Sequence, residues 1–126
     1  MSTNNSESFV VDLVGDVSGK TWKGVFKTKI RLSHRDQLRQ DEVRRELLGK
    51  NAEHASERTK NQAEIFAFIA VHLTQFPSWW EMNDNGLDLE DDNVVGDIFA
   101  NIVRLKSDSA KALRDAAEKD AKELKE

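Results

Sequence analysis

The stretch Thr21-Trp-Lys-Gly-Val-Phe-Lys-Thr-Lys-Ile-Arg-Leu32 alternates between two kinds of side chain. In an extended chain, one face carries the cations Lys27, Lys29 and Arg31, and the other carries Phe26, Thr28, Ile30 and Leu32. Successive residues of a strand point to opposite faces. This pattern therefore predicts a half-buried β-strand with one basic face and one apolar face.

The alternation also occurs in residues 8–14, where the apolar positions are Phe9, Val11 and Leu13. Between the two alternating stretches lies Gly15-Asp-Val-Ser-Gly19, whose glycines are typical of a turn. We therefore predict an antiparallel β-hairpin within residues 8–32. An isolated hairpin is only marginally stable, so it is expected to pack on helices or on another chain.

A helix is predicted directly after the hairpin. Ser33 followed by Asp36 has the form of a helix N-terminus, in which the two side chains cap each other's backbone amides. Gly49 after Leu48 suits the other end, because glycine readily adopts the left-handed conformation that closes a helix.

Two further helices follow in the sequence. The second is expected to start near Ser56 and to end before the only proline, Pro77, with residues 61–76 as the central helix of the core. The third is expected to begin near Asp92, because acidic and amide side chains favour helix N-termini.

These elements predict the α+β class, with an N-terminal antiparallel hairpin packed against three helices. A length of 126 residues fits one domain. We expect residues 1–7 to be disordered, residues 8–106 to form the domain and residues 107–126 to form a solvated helical tail. The tail is rich in helix-forming residues but contains only Leu113 and Leu124 as large apolar side chains.

Composition narrows the class of protein. The chain has no cysteine, which excludes disulfides, thiolate chemistry and Cys-based zinc sites. The longest apolar run, residues 65–73, is too short to span a bilayer, and the N-terminal residues lack the pattern of a signal peptide. We expect a soluble protein of the cytoplasm that does not contact membranes.

The net charge of −4 conceals a segregation of charge along the chain. Residues 20–60 carry 12 Lys and Arg against six Asp and Glu, whereas residues 61–126 carry seven against 14. A basic part and an acidic part can pair within one molecule, or head-to-tail with a second copy or a partner.

No pattern of a reaction centre is present. The histidines, His34, His54 and His72, are far apart, and the chain has no nucleophile elbow or phosphate-binding glycine loop. The stretch from Glu81 to Asp92 resembles a calcium loop in spacing but lacks the first aspartate and the final bidentate glutamate. We therefore expect a protein that is not an enzyme and uses no metal or other cofactor.

The segment after Pro77 carries the candidate partner-binding residues. Consecutive tryptophans cannot both point the same way, so we expect one to pack against Ile98 or Ile102 and the other to be exposed beside an acidic rim. The exposed tryptophan would then be an interface anchor. The residues proposed to bind a partner are Trp79, Trp80, Glu81, Asp84, Asp88 and the basic residues Lys27, Lys29, Arg31, Arg35 and Arg39.

The basic residues between positions 23 and 45 leave a second interpretation open. They could contact nucleic-acid phosphates, although the acidic isoelectric point of about 5.4 and the scarcity of accompanying aromatic residues make nucleic acid the less favoured partner.

Four stretches, taken in order, carry a resemblance to a known family: Thr21-Trp-Lys-Gly-Val-Phe, Glu46-Leu-Leu-Gly49, Pro77-Ser-Trp-Trp and Gly86-Leu-Asp-Leu-Glu-Asp-Asp-Asn-Val-Val. Over roughly residues 8–105, the chain resembles the small tail assembly chaperones of long-tailed bacteriophages.

The resemblance implies a protein that acts in the cytoplasm of the infected host. Such a protein binds the tail tape-measure protein and helps tail-tube subunits assemble around it. The resemblance also implies self-association and a longer form made by ribosomal frameshifting. The alternative is a structural component, a minor tail or capsid protein, that stays in the finished virion.

Overall fold

The structure, a computed structural model, describes residues 5–125. Those residues form a three-stranded antiparallel sheet and four α-helices, which confirms the predicted α+β class. In chain order the elements are β1 (Ser6–Val14), β2 (Thr21–Lys29), α1 (His34–Leu48), a 3₁₀ helix (Gly49–His54), α2 (Glu57–His72), β3 (Leu73–Gln75), α3 (Ser78–Met82) and α4 (Asp92–Lys125).

The predicted hairpin is formed by β1 and β2, which pair antiparallel with Phe9 opposite Phe26. Those two rings stack with centroids 5.3 Å apart on the buried face of the sheet. The turn is closed by a hydrogen bond from Gly15 N to Lys20 O of 2.8 Å, and Gly19 adopts a left-handed φ of 72°. The predicted capping box at Ser33 and Asp36 is also present.

Strand β1 begins before residue 8, the predicted start of the domain. The Asn5 side chain accepts hydrogen bonds from the backbone amides of Ile30 (3.2 Å) and Arg31 (2.6 Å), which ties the start of β1 to the end of β2. The prediction of disorder is therefore wrong for residues 6 and 7, which belong to β1. For residues 1–4 the prediction lies outside the described residues.

The second helix ends four residues earlier than predicted, because His72 rather than Phe76 is its last residue. Leu73 is extended, and residues 73–75 form the short strand β3 beside β2. One local feature and one contact with β2 favour this ending. The residue before a proline is disfavoured in helical conformation, and Thr28 Oγ1 donates a hydrogen bond to the His72 carbonyl at 3.3 Å.

The third predicted helix begins at Asp92 as expected and continues through the tail to Lys125. Its 34 residues span about 51 Å at the usual rise per residue. The Lys106 ammonium donates to the Ile30 carbonyl at 2.9 Å, and most described side chains beyond that point are exposed. Within residues 5–125, no helix combines the length and the apolar composition that crossing a membrane requires.

The core lies between the sheet and the first half of α4. The buried apolar cluster there consists of Phe9, Val11, Phe26, Ile69, Trp80, Val94, Ile98 and Ile102. Residues 94, 98 and 102 recur at every fourth position of α4, so one stripe of the helix supplies three of these side chains. Helix α2 is buried at Ala63, Ala67, Ile69, Val71 and His72, in keeping with its predicted place in the core.

A buried carboxylate connects the hairpin turn to the start of α4. Asp91 is 1% exposed and accepts four hydrogen bonds of 2.6–2.8 Å, from the backbone amides of Val17 and Ser18, the Ser18 hydroxyl and the Trp22 indole. The bonds from the Ser18 hydroxyl and amide are the main reason that the pKa of Asp91 lies well below its ordinary value of 3.8.

We predict that Asp91→Asn lowers the melting temperature by roughly 10 °C at pH 7, because an amide cannot replace the charged acceptor of four donors. The pKa of Asp91 is lower in the folded protein than in the unfolded chain. The difference in stability between the wild type and the variant should therefore be complete above pH 3.8, the ordinary pKa, and should decrease as the pH falls below that value. Thermal melts of both proteins from pH 7 to pH 3 measure this difference, with exposed Asp92→Asn as the control. A constant difference across that range would contradict the prediction.

His72 is a second buried polar group. Its Nδ1 donates to the Phe68 carbonyl at 2.7 Å, while its Nε2 is buried and has no hydrogen-bond partner among the described residues. Burial lowers the pKa of His72 from 6.5 to about 4, because the imidazolium ion would lose its hydration.

The His72 pKa predicts a pH dependence of stability. Between pH 6.5 and pH 4 the unfolded chain binds a proton at this residue and the folded chain does not, so acidification should lower the free energy of unfolding by about 2–3 kcal/mol. In the His72→Phe variant, this contribution to the pH dependence of the free energy of unfolding should be absent. Urea unfolding at several pH values tests the prediction, and equal slopes for the two proteins would refute it.

Candidate partner-binding groove

The two adjacent tryptophans occupy α3, which begins after Pro77. Trp80 is 2% exposed and belongs to the same buried cluster as Ile98 and Ile102, so one tryptophan is in the core as predicted. Trp79 is half-buried: its ring lies 4.9 Å from the Trp22 ring, and its indole donates to the Lys23 carbonyl at 3.0 Å. The predicted exposed tryptophan beside an acidic rim is therefore wrong.

The reason lies in the helical geometry of α3. Adjacent helical residues point about 100° apart, so one indole enters the core while the other lies along β2. Gly24 of β2 makes this close approach possible, because a Cβ at that position would lie 2.7 Å from the Pro77 ring.

The predicted acidic residues are exposed but are not joined to the predicted basic residues. Glu81, Asp84 and Asp88 are exposed, and none of them takes part in the ion pairs found within residues 5–125. Asp84 has a left-handed φ of 53°, because it lies in the turn between α3 and α4. Within residues 5–125, these three carboxylates therefore form no ion pair with Lys27, Lys29, Arg35 or Arg39.

The predicted basic residues are spread over β2 and α1. Lys27 and Lys29 are half-buried, whereas Arg31, Arg35 and Arg39 are exposed. Lys29 forms an ion pair of 3.0 Å with Asp36, and this contact is the main cause that lowers the pKa of Asp36 to about 2.

The structure does bring two of these basic residues together. Lys29 and Arg39 line a depression of about 400 Å³, and the Trp80 ring also lines it.

An open groove of about 600 Å³ lies between α2 and α4, and we call it the α2–α4 groove. Helix α2 contributes residues of one face, Arg58, Asn61, Gln62, Ile65 and Phe66. Helix α4 contributes Asp92, Val95, Gly96 and Phe99, again at spacings of three and four residues. Leu87 and Leu89 from the connecting segment complete the lining. The lining of the groove is thus mixed, with apolar side chains from all three segments and charged and amide groups among them.

The segment between α3 and α4 is held firmly in place beside this groove. Gly86 has a φ of 90°, and a Cβ there would lie only 2.3 Å from the Trp80 ring. The Asn83 side chain donates to the Trp79 carbonyl at 2.6 Å, and the Asn83 carbonyl accepts from the Asp88 amide at 3.0 Å. This tight turn leaves Leu87 43% exposed at the groove.

The chemistry of the groove suits binding of an apolar surface. Apolar and aromatic side chains supply burial, and two amides with Arg58 and Asp92 can orient an amphipathic ligand. Among residues 5–125, no group of three or more His, Cys, Asp or Glu side chains is placed to hold a metal ion.

The sequence prediction did not identify this groove. The apolar residues of α2 cover more than one face of the helix, and this pattern predicted only that the helix is central to the core. The periodicity of α2 alone does not show which other segment lies across from that face, because the opposing residues come about 30 positions later in the chain.

Comparison of the chain with protein-family models, curated proteins and solved structures gives no significant match.

Replacing each of two glycines beside the groove by alanine should change the free energy of unfolding in opposite directions. Gly86→Ala should lower the free energy of unfolding by about 2–4 kcal/mol, because φ is positive and the new Cβ meets Trp80. Gly96→Ala should raise it by about 0.5–1 kcal/mol, because a Cβ there meets nothing within 4 Å and alanine favours helix. Denaturant unfolding measures both changes. Changes of the same sign would contradict the described environment of one glycine.

Proposed function

We propose that this chain is a bacteriophage tail assembly chaperone that acts without catalysis, in the cytoplasm of the infected host. It binds an amphipathic helical segment of a protein partner in the α2–α4 groove. By the resemblance given above, the partner is the tail tape-measure protein, and the protein serves the assembly of tail-tube subunits around it.

One observation carries the proposal. Two helical faces, each with its own spacing of three and four residues, lie across from each other with their apolar side chains accessible. Leu87 adds an exposed apolar side chain at the same place. An amphipathic helix that enters such a groove covers apolar surface on both partners.

A direct test is capture of the tape-measure protein encoded by the same phage. The tagged chain should retain it, and Leu87→Glu should weaken capture by tenfold or more, because a carboxylate would be buried in the groove. Leu38→Glu is the matched control, since Leu38 is an exposed leucine of α1 outside the groove. Equal capture by both variants would show that the groove is not the binding site.

A second measurement distinguishes a chaperone from a virion component. Mass spectrometry of purified phage particles should find the chain absent or in trace amounts. Stoichiometric presence would replace the proposal with a structural role. Failure of the wild-type chain to retain either the tape-measure protein or the tail-tube protein would overturn the proposal.

A further inference from the structure

Strand β1 is an outer strand of the sheet, because the strand order is β1-β2-β3. It pairs with β2 in one unbroken register, from Ser6 opposite Lys29 to Val14 opposite Thr21. On its other side, no strand within residues 5–125 lies next to it. We call this side the β1 edge.

Hydrogen bonds at the two ends of the hairpin show which residues direct their backbone groups to the β1 edge. In an antiparallel pair, alternate residues bond to the partner strand, and the residues between them direct N–H and C=O away from it. The Gly15 amide donates to the Lys20 carbonyl at 2.8 Å, and the Ile30 amide donates to the Asn5 carbonyl at 3.3 Å. The odd-numbered residues from 5 to 15 therefore bond towards β2, and the even-numbered residues direct their backbone groups to the β1 edge.

Asn93 provides an independent check of this assignment. Its side chain donates to the Val14 carbonyl at 2.8 Å, so this carbonyl points away from β2 and is already satisfied. The backbone groups of Ser8, Val10 and Asp12 also point away from β2, and within residues 5–125 no hydrogen bond from outside the sheet reaches them. Their hydrogen bonding is therefore left to solvent or to a further strand.

The exposed face of the sheet shows which side chains a further strand would need. Val10 lies opposite Val25, and the two side chains are 62% and 61% exposed. Asp12 lies opposite Lys23, whose ammonium is 3.9 Å from the carboxylate. A strand at the β1 edge would meet Val10 and Asp12 from their other side. A β-branched residue beside Val10 and a cation beside Asp12 would therefore fit there.

The charge of β1 favours a basic occupant. The strand contains Glu7 and Asp12 and no lysine or arginine, whereas its neighbour β2 contains three lysines. A second copy of β1 would bring only further carboxylates to the β1 edge. Charge complementarity therefore favours a different chain that carries cations.

We propose that the β1 edge binds an extended, basic segment of a protein partner, which joins the sheet as a fourth strand. Main-chain hydrogen bonds to Ser8, Val10 and Asp12 supply affinity, and the alternate side chains of the segment supply specificity. The segment carries a lysine or arginine beside Asp12. The described lining of the α2–α4 groove includes no residue of β1, so this site does not rest on the proposed function.

Proline substitution tests the direction of the backbone groups. Val10→Pro removes an N–H that points to the β1 edge, so the melting temperature should change by only a few degrees. Val11→Pro removes an N–H that bonds towards β2, so it should lower the melting temperature by about 10 °C or more. Melting followed by circular dichroism measures both changes. Equal destabilisation by the two prolines would show that the assignment of the β1 edge is wrong.

Binding is measured with the purified chain and a synthetic peptide of strand length. One face of the peptide alternates valine and lysine, and the other face consists of threonine; a control peptide has glutamate in place of each lysine. The lysine peptide should bind about tenfold more tightly than the control, and it should slow hydrogen exchange at the amides of Ser8, Val10 and Asp12. Val10→Pro should weaken binding by about tenfold, whereas Val10→Ala keeps the N–H and should bind within about threefold of the wild type.

A charge reversal tests the same site even if Val10→Pro fails to fold. Asp12→Lys should reverse the preference, so that the glutamate peptide binds more tightly than the lysine peptide. Failure of the lysine peptide to bind the wild type, or binding that Asp12→Lys leaves unchanged, would overturn the proposal. Protection of the same amides in the chain alone at high concentration would also overturn it, because a second copy would then cover the β1 edge.

Discussion

The arrangement of the whole molecule depends on the buried carboxylate of Asp91. This one side chain gathers four donors from a turn and a strand that lie more than 65 positions earlier in the chain. Burial of an unpaired charge would be costly, so Asp91 favours only those conformations in which the hairpin turn and the start of α4 meet. Asn93 reinforces the junction, since its side chain donates to the Val14 carbonyl and accepts from the Asp16 amide. The direction in which α4 leaves the sheet follows from this junction.

Once α4 is placed, the α2–α4 groove follows from packing. The buried stripe of α4 faces the sheet, and Phe99 on an adjacent face meets the Phe68 ring of α2 at 5.0 Å between centroids. The remaining apolar side chains of both helices stay accessible, because the short connecting segment is drawn down onto Trp80 at Gly86 rather than over the groove. The same two constraints therefore build the core and leave the groove open.

The local sequence pattern was sufficient to predict most of the helices and strands. The alternation in residues 21–32, the capping residues Ser33 and Asp36, and the acidic start of α4 each act within a few residues, so they could be predicted without knowledge of the fold. Strand β3 could not be predicted from the sequence, because its three residues show no alternation and form a strand only when β2 lies beside them. The position of Trp79 was also set from a distance, by Gly24 and Trp22 on β2. The groove depends on two faces that are separate in sequence, and periodicity does not report their juxtaposition.

Helix α4 begins with one side buried in the core, at Val94, Ile98 and Ile102, and continues without a break into a part whose described side chains are almost all exposed. Backbone amides near Ile98 can exchange with solvent only when the core opens, whereas those beyond Lys106 need only the local loss of a few helical turns. Helical stability in proteins comes mainly from tertiary packing, so we expect the outer half of α4 to open more readily than the half that packs in the core. Loss of helix in its outer turns therefore needs no opening of the core, and substitutions there can change the helix without loss of stability in the body of the protein.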